Sequence, residues 1–321
     1  MIARALERGL PSWVPTGALE LAWSRLQRLE RELNAPLGVK VVTVGGATLG
    51  GSGKTPLALA ISRRAAMNGA RVALLSRAYA AGDHAARWVD GADDPAVAGD
   101  EAVACAAALA STGARVVSGV DRQACVSLAC AWASLLVIDG VAQLAPRRAD
   151  WSLLAVDHEA PWGSGACPPR GDLRAPREAL LTAADTVVRI RTDGATPKEA
   201  EASWRITGAR RTRTAEFLSL DELRATRFTL VTNVARPERI TRALAVHGLV
   251  PARHVELMDH SRRTPLDLKE FFCLAPTKVR QARNWPNSAW IEGSLELSAD
   301  LCRAIDRLSI ADDSATTGGV S

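Results

Sequence analysis

The residues best suited to chemistry lie in Thr48-Leu49-Gly50-Gly51-Ser52-Gly53-Lys54-Thr55-Pro56. Glycines let the chain curl so that successive backbone N–H groups converge on phosphate oxygens. Lys54 offers a positive charge to β- and γ-phosphates, and the Thr55 hydroxyl is a ligand type for Mg²⁺. A β-branched run, Val41-Val42-Thr43-Val44, precedes the stretch, and a helical pattern from Leu57 to Met67 follows it. Strand, glycine-rich loop, Gly-Lys-Thr and helix is the order of a phosphate-binding loop. The helix adds unpaired N–H groups and its positive dipole end. Thr48, Gly50, Gly51, Ser52, Gly53, Lys54 and Thr55 are therefore the expected nucleotide-binding residues. Thr48 stands where the strict G-x-x-x-x-G-K-[ST] spacing has its first glycine.

Other residues are placed to assist. Asp139 ends the apolar run Leu135-Leu136-Val137-Ile138, and an acid there is placed to direct Mg²⁺, as Thr55 is; a purely structural strand-end aspartate has the same pattern. Gly99-Asp100-Glu101 opens a helix, where acids are favourable without any function. Asp259-His260 follows a strand, where α/β folds place ligand-facing residues, although such a pair in a loop is often just solvated. Between Gly163 and Pro176, a Gly- and Pro-rich loop carries Arg170 and Arg174, which suit an anionic ligand; a plain turn-rich connection reads the same way.

These residues need a scaffold. Strands are expected at 71–76, 115–118, 134–139, 153–157 and 185–190, separated by helices at 101–109 and 122–132, with a loop over 82–99. Continuous apolar strands alternating with helices imply a parallel sheet covered on both faces. The expected fold class is α/β: a P-loop NTPase-type, mostly parallel sheet with helices on both faces, plus a second, smaller α/β lobe. The expected parts are an N-terminal helical segment over 1–36, a core over 37–195, a linker over 196–211, a C-terminal lobe over 212–310 and a disordered tail over 311–321. Within the first segment, Leu19, Trp23, Leu26, Leu29 and Leu33 form one stripe of a helix from about 18 to 33. That stripe suits packing on its own domain; with Trp13, Trp23 and nearby arginines it also suits a membrane interface.

Composition bounds the class. The chain has 321 residues, 47% hydrophobic and 23% charged, which reads as globular. A net charge of +5 permits an anionic substrate or an anionic membrane surface without requiring either. No C-x-x-C pair occurs among the six cysteines, so reduced thiols in a cytosolic protein are expected. Neither a signal peptide nor a membrane-spanning run is evident.

The motifs, taken together, resemble those of the tetraacyldisaccharide 4′-kinase family, the lipid A disaccharide kinases. Thr48 to Pro56 after Val44-Gly45 is similar to that family's loop, which also has threonine for the first glycine. In the same order, Ser76-Arg77-Ala78-Tyr79 resembles its Ser-Arg-Gly-Tyr, Gly99-Asp100-Glu101 its Gly-Asp-Glu, and Gly119 to Arg122 its Gly-x-x-Arg/Asp-Arg segment. Ile138-Asp139-Gly140 resembles its Asp-Asp-Gly. Trp162 to Pro176 resembles its aromatic-Gly-Asn-Gly…Gly-Pro-Leu-Arg-Glu-Pro loop, Asn233 to Arg239 its Gly-Asn-Pro-Glu-Arg turn, and Asp259-His260 its Asp-His. The departures are Ile138 for the first of two acids, no histidine after Gln143, alanines at 78, 80 and 81, and Thr277-Lys278 without flanking acids.

The resemblance implies ATP, Mg²⁺ and phosphoryl transfer to the 4′-hydroxyl of an acylated glucosamine disaccharide. It implies Asp100 and His260 as a catalytic pair with Lys54, and Arg77, Arg122, Arg170 and Arg174 toward the substrate. It further implies a cytoplasmic protein, peripheral at the inner face of the cytoplasmic membrane. A monomer without a nucleic-acid partner is expected. The alternatives are a weakened or non-catalytic nucleotide-binding paralogue, and an ATPase or GTPase switch of the Lys-Gly-Gly-x-Gly-Lys-Thr kind, whose signature lysine is here Leu49.

Overall fold

A computed structural model describes residues 16–26, 29–77, 85–214, 216–234, 236–257, 272–276 and 285–310. In chain order its elements begin α1 (Gly17–Leu26), β1 (Glu30–Glu32), β2 (Lys40–Gly46), α2 (Lys54–Met67), β3 (Val72–Arg77), β4 (Arg87–Val89), α3 (Pro95–Ala98), α4 (Asp100–Leu109) and β5 (Arg115–Gly119). Then come α5 (Arg122–Cys130), β6 (Leu135–Asp139), β7 (Gln143–Ala145), β8 (Trp151–Asp157), α6 (Arg177–Ala183), β9 (Thr186–Arg191), β10 (Glu201–Arg211) and β11 (Phe217–Ser219). The last are α7 (Leu220–Ala225), β12 (Thr229–Thr232), α8 (Pro237–Val246), β13 (Arg253–Glu256), β14 (Cys273–Ala275), β15 (Ser288–Leu297) and α9 (Ala299–Ser309).

One 13-stranded sheet runs β13-β12-β14-β15-β10-β9-β8-β2-β6-β3-β5-β4, with β11 added on β10. Its pairs are parallel from β10 to β5 and again from β15 to β13. The seam is antiparallel: β10 pairs with β15 from Ala202↔Leu297 to Arg211↔Ala289. Apolar residues cover both faces of the central strands, as parallel strands require. Val42, Val44, Leu74, Val116 and Val137 pack with Leu57 and Ile61 of α2 and Val103 of α4. Their strand neighbours Val41, Leu75, Val117, Leu136 and Ile138 face the other way, onto Cys125, Val126 and Ala129 of α5. Period-two alternation thus assigns each strand residue to a helix layer.

Four expectations need correction. The stretch 201–211, expected within a linker, is β10, in the middle of the sheet. Its many charged residues fit because Arg205 and Arg210 pair across the seam with Glu296 and Glu292. The C-terminal region does not stay in its own lobe either. Leu301 and Ile305 of α9 join the core around α2, and Arg64 donates two hydrogen bonds of 2.7 Å to Asp306. The expected loop over 82–99 contains β4 and α3. The expected helix over 18–33 is described only to Leu26. Glu30–Glu32 instead pairs in parallel with Gln143–Ala145, so tertiary pairing overrides the helical periodicity.

Trp23 faces the protein. Its indole N–H donates to the Arg174 carbonyl at 2.9 Å, and its ring packs on the cluster of Leu154, Val156 and Leu180. Leu19 and Leu21 of the same helix are exposed. Trp13 and the 311–321 tail lie outside the described residues. Among those described, no helix is long and apolar enough to cross a membrane.

Candidate active site

The glycine-rich loop leaves the C-terminal end of β2, the central strand between β6 and β8. Gly53 caps α2 in the left-handed region, at φ 84° and ψ 13°. A Cβ there would lie 3.0 Å from Cγ1 of the buried Ile190. Alanine at position 53 is therefore expected to lower stability by about 1–2 kcal/mol from backbone strain alone. It should weaken nucleotide binding further by turning the loop N–H groups; thermal melting and nucleotide titration check both.

The loop is braced by the segment 162–176. Thr48 forms an isolated antiparallel bridge with Leu173. Leu49 N–H donates to the Asp172 carbonyl, and Arg174 N–H to that of Ala47. The Thr48 hydroxyl donates to the Gly50 carbonyl at 2.6 Å, a contact no glycine could make. The Asp172 carboxylate accepts from Ser164 N–H at 2.8 Å and from Arg236 at 2.9 Å. The Arg236 stem would lie 3.1 Å from a Cβ on Gly51. Arg236 is thereby held against the loop from the segment after β12. Three residues later, Arg239 pairs with Asp157 at 2.8 Å. Burial pulls the Arg239 pKa below the usual arginine range, with Asp157 opposing.

At the start of α2 three side chains meet the Thr55 hydroxyl: Asp139 Oδ2 at 2.6 Å, Glu101 Oε1 at 2.9 Å and Lys54 Nζ at 3.3 Å. The hydroxyl carries a single proton, so it donates to only one carboxylate at a time. Asp139 is buried, and its Oδ1 has no hydrogen-bond partner among the described residues. Two carboxylates converging on one hydroxyl repel each other, and a cation between them would relieve that. The Thr55 hydroxyl and the two carboxylates are hard oxygens of the type Mg²⁺ selects.

The sequence model of a family described as tetraacyldisaccharide-1-P 4′-kinase matches residues 14–278. The chain belongs to that family. Curated relatives share the description. A tetraacyldisaccharide 4′-kinase of Anaeromyxobacter sp. (strain Fw109-5) is 33% identical over 257 residues, spanning 74% of this chain and 69% of the relative. One from Alcanivorax borkumensis is 34% identical over 277 residues, spanning 81% and 80%. The solved structure of LpxK from Aquifex aeolicus in complex with ATP superposes with a TM-score of 0.70 over 92% of this chain and 98% of that one; at 18% identity it shows the shared α/β fold.

In this family member the structure unites Lys54, Thr55 and Asp139 as the spacing suggested. Asp100 opens α4 beside Glu101 and accepts that residue's backbone N–H at 3.0 Å. His260 lies outside the described residues, as do Tyr79, Asp259 and Thr277-Lys278. Arg77 ends β3 opposite Gly119, and Arg122 opens α5 behind its cap, Asp121. Arg174 Nε donates to the Gly46 carbonyl at 3.2 Å. Arg170 is engaged elsewhere: it pairs with Glu20 at 3.0 Å and Thr16 at 3.2 Å, anchoring α1. Glu101, Asp172 and Arg236 were not among the expected site residues. Gln143 is fully buried, donates to the Ala183 carbonyl and accepts from the Leu144 and Ala149 N–H groups, so its role is structural.

Proposed function

We propose that this protein is an ATP-dependent kinase that phosphorylates the 4′-hydroxyl of an acylated glucosamine disaccharide 1-phosphate in lipid A biosynthesis, at the inner face of the cytoplasmic membrane. Within a chain of this family, the observation that carries the reading is the convergence of Lys54, Asp139 and Glu101 on Thr55 beneath the glycine-rich loop. The loop N–H groups and Lys54 bind the triphosphate and stabilise charge as it shifts during a loose phosphoryl transfer. Thr55, Asp139 and Glu101 fit Mg²⁺ by donor type and by the unpartnered Asp139 Oδ1. Mg²⁺, when bound, supplies charge neutralisation on the β- and γ-phosphates. Asp172 and Arg236 keep the loop in shape. The exposed Leu19 and Leu21 of α1 are suited to peripheral contact with lipid.

The loss of an acid at 138 does not argue for a weakened enzyme. Ile138 points into the α5 layer, away from Thr55, so a carboxylate there would lie on the wrong face of β6 to join Asp139. Incubation of the purified protein with γ-labelled ATP and tetraacyldisaccharide 1-phosphate should transfer label to the 4′ position. Nucleotide binding without transfer to that acceptor would replace this reading with a non-catalytic one.

A catalytic role for Asp100 and His260 belongs to the same proposal. A sugar hydroxyl is a poor nucleophile, and a carboxylate oriented by a histidine can take its proton as the O–P bond forms. Asp100→Ala and His260→Ala are each expected to lower kcat about 10²- to 10⁴-fold. The double variant should fall little below the worse single one, because members of one unit are non-additive. Fully multiplicative losses, measured at saturating ATP, would separate the two residues.

A further inference from the structure

Asp139 is not alone in leaving a buried oxygen unpaired. The hydroxyls of Ser76 and Ser118 are buried and have no hydrogen-bond partner among the described residues. All three residues fall on one transverse row of the sheet. Ser76 and Ser118 are register partners on β3 and β5. Leu75 pairs with Ile138, so Ser76 and Asp139 come next in that ladder. Two residues earlier on each strand, Leu74, Val116 and Val137 all pack on the α2 and α4 layer. By period two, Ser76, Ser118 and Asp139 face the same layer, toward the helix that bears Thr55 and the one that bears Glu101. Adjacent strands lie about 4.8 Å apart, which spaces the three oxygens as successive steps leading away from Thr55.

A buried hydroxyl without a partner costs about 1–3 kcal/mol, and alanine would fill either position without it. Two such hydroxyls beside an unpartnered carboxylate oxygen are best accounted for by a polar occupant that satisfies them. Resting on the reading of Thr55 and Asp139 as Mg²⁺ ligands, we propose that Ser76 and Ser118 form an outer-sphere shelf that holds water molecules of the hydrated cation bound at Asp139. Mg²⁺ gives up its water reluctantly and commonly keeps several water ligands. Water on a cation directs its O–H groups outward, and a serine hydroxyl can accept from one of them without adding charge to the buried layer. Ser76, next to Asp139, has the larger effect, and Ser118, one strand farther, the smaller. Both would act as positioning residues, through the water of the cation.

The test uses the full-length protein and Mn²⁺ as a paramagnetic stand-in for Mg²⁺. Mn²⁺ affinity is measured by electron paramagnetic resonance with a non-hydrolysable ATP analogue, and thermal midpoints are measured in chelator. Ser76→Ala is expected to weaken Mn²⁺ about 10-fold, the low end of outer-shell losses, and Ser118→Ala by less. Each variant should melt at or above the wild-type temperature in chelator, because an unsatisfied hydroxyl has been removed. Ser76→Thr, which keeps the hydroxyl, should retain more affinity than alanine. Lower midpoints in chelator with unchanged Mn²⁺ affinity would show that the serines are structural and overturn the proposal. Failure of the wild type to bind Mn²⁺ more tightly than Asp139→Asn does would instead refute the underlying metal reading, so the two failures are distinguishable.

Discussion

Lys54→Ala is expected to lower kcat/KM for phosphoryl transfer at least about a thousandfold and to leave the thermal midpoint nearly unchanged. Lys54 is the first residue of α2, is only partly buried, and takes no part in the core that holds the helix down; Leu57, Ala58, Ile61 and Ala65 do that. Alanine is also the better helix former, so the truncation costs the fold little. For catalysis the loss is large, because a fixed charge aimed at a transferring phosphoryl group acts where negative charge shifts. Removing one such preorganised donor costs about 10²–10³ in rate, and Lys54 also has ground-state contact with the phosphates to lose. Lys54→Arg should recover only part of the activity, since the guanidinium is larger and planar. Steady-state kinetics with calorimetric melting decides it. Turnover close to wild type in a normally folded Lys54→Ala protein would remove the glycine-rich loop from the mechanism.

The glycine-rich loop was legible in sequence because its pattern is local: a strand, a curl of glycines and a helix start are contiguous. Asp139 was legible for a related reason, since an acid closing an apolar strand sits at the end of a parallel sheet where ligands bind. Glu101 was not. As the second residue of a helix it reads as a favourable dipole partner, and only the packing of α4 beside α2 carries it to Thr55. Asp172 and Arg236 were hidden by distance along the chain. Their ion pair spans 64 residues, and nothing in either local pattern names the other. The seam of the sheet failed for a physical reason too. β10 carries arginines among its apolar residues and so reads as a linker, yet those arginines find glutamates on β15. Ile138 is a case of the opposite kind: the family's first acid is absent, yet the pleat turns position 138 into the α5 layer, away from Thr55.

Asp139→Asn is expected to reduce Mg²⁺-dependent turnover by about two to three orders of magnitude, comparable to losing a preorganised charge at the reacting phosphate. The substitution is close to isosteric. Its amide oxygen can still accept from Thr55, now 2.6 Å from Asp139 Oδ2, so the start of α2 should keep its shape. What changes is the other oxygen. Asp139 Oδ1 is buried with no partner among the described residues, and asparagine places an N–H₂ donor there, which repels a cation. The site also loses one negative charge beside Glu101, leaving a single carboxylate on Thr55. Stability should move the other way. A buried, incompletely satisfied carboxylate is costly, so the variant should melt at or above the wild-type temperature in chelator. Added Mg²⁺ with nucleotide stabilises the wild type by mass action, and in the variant most of that shift should vanish. Glu101→Gln is the companion measurement, expected to raise the Mg²⁺ requirement while sparing more of kcat. An Asp139→Asn protein with unaltered Mg²⁺ dependence and an unaltered ligand-induced shift would transfer the metal to Glu101 and another acid, and would leave Asp139 as a structural cap on Thr55.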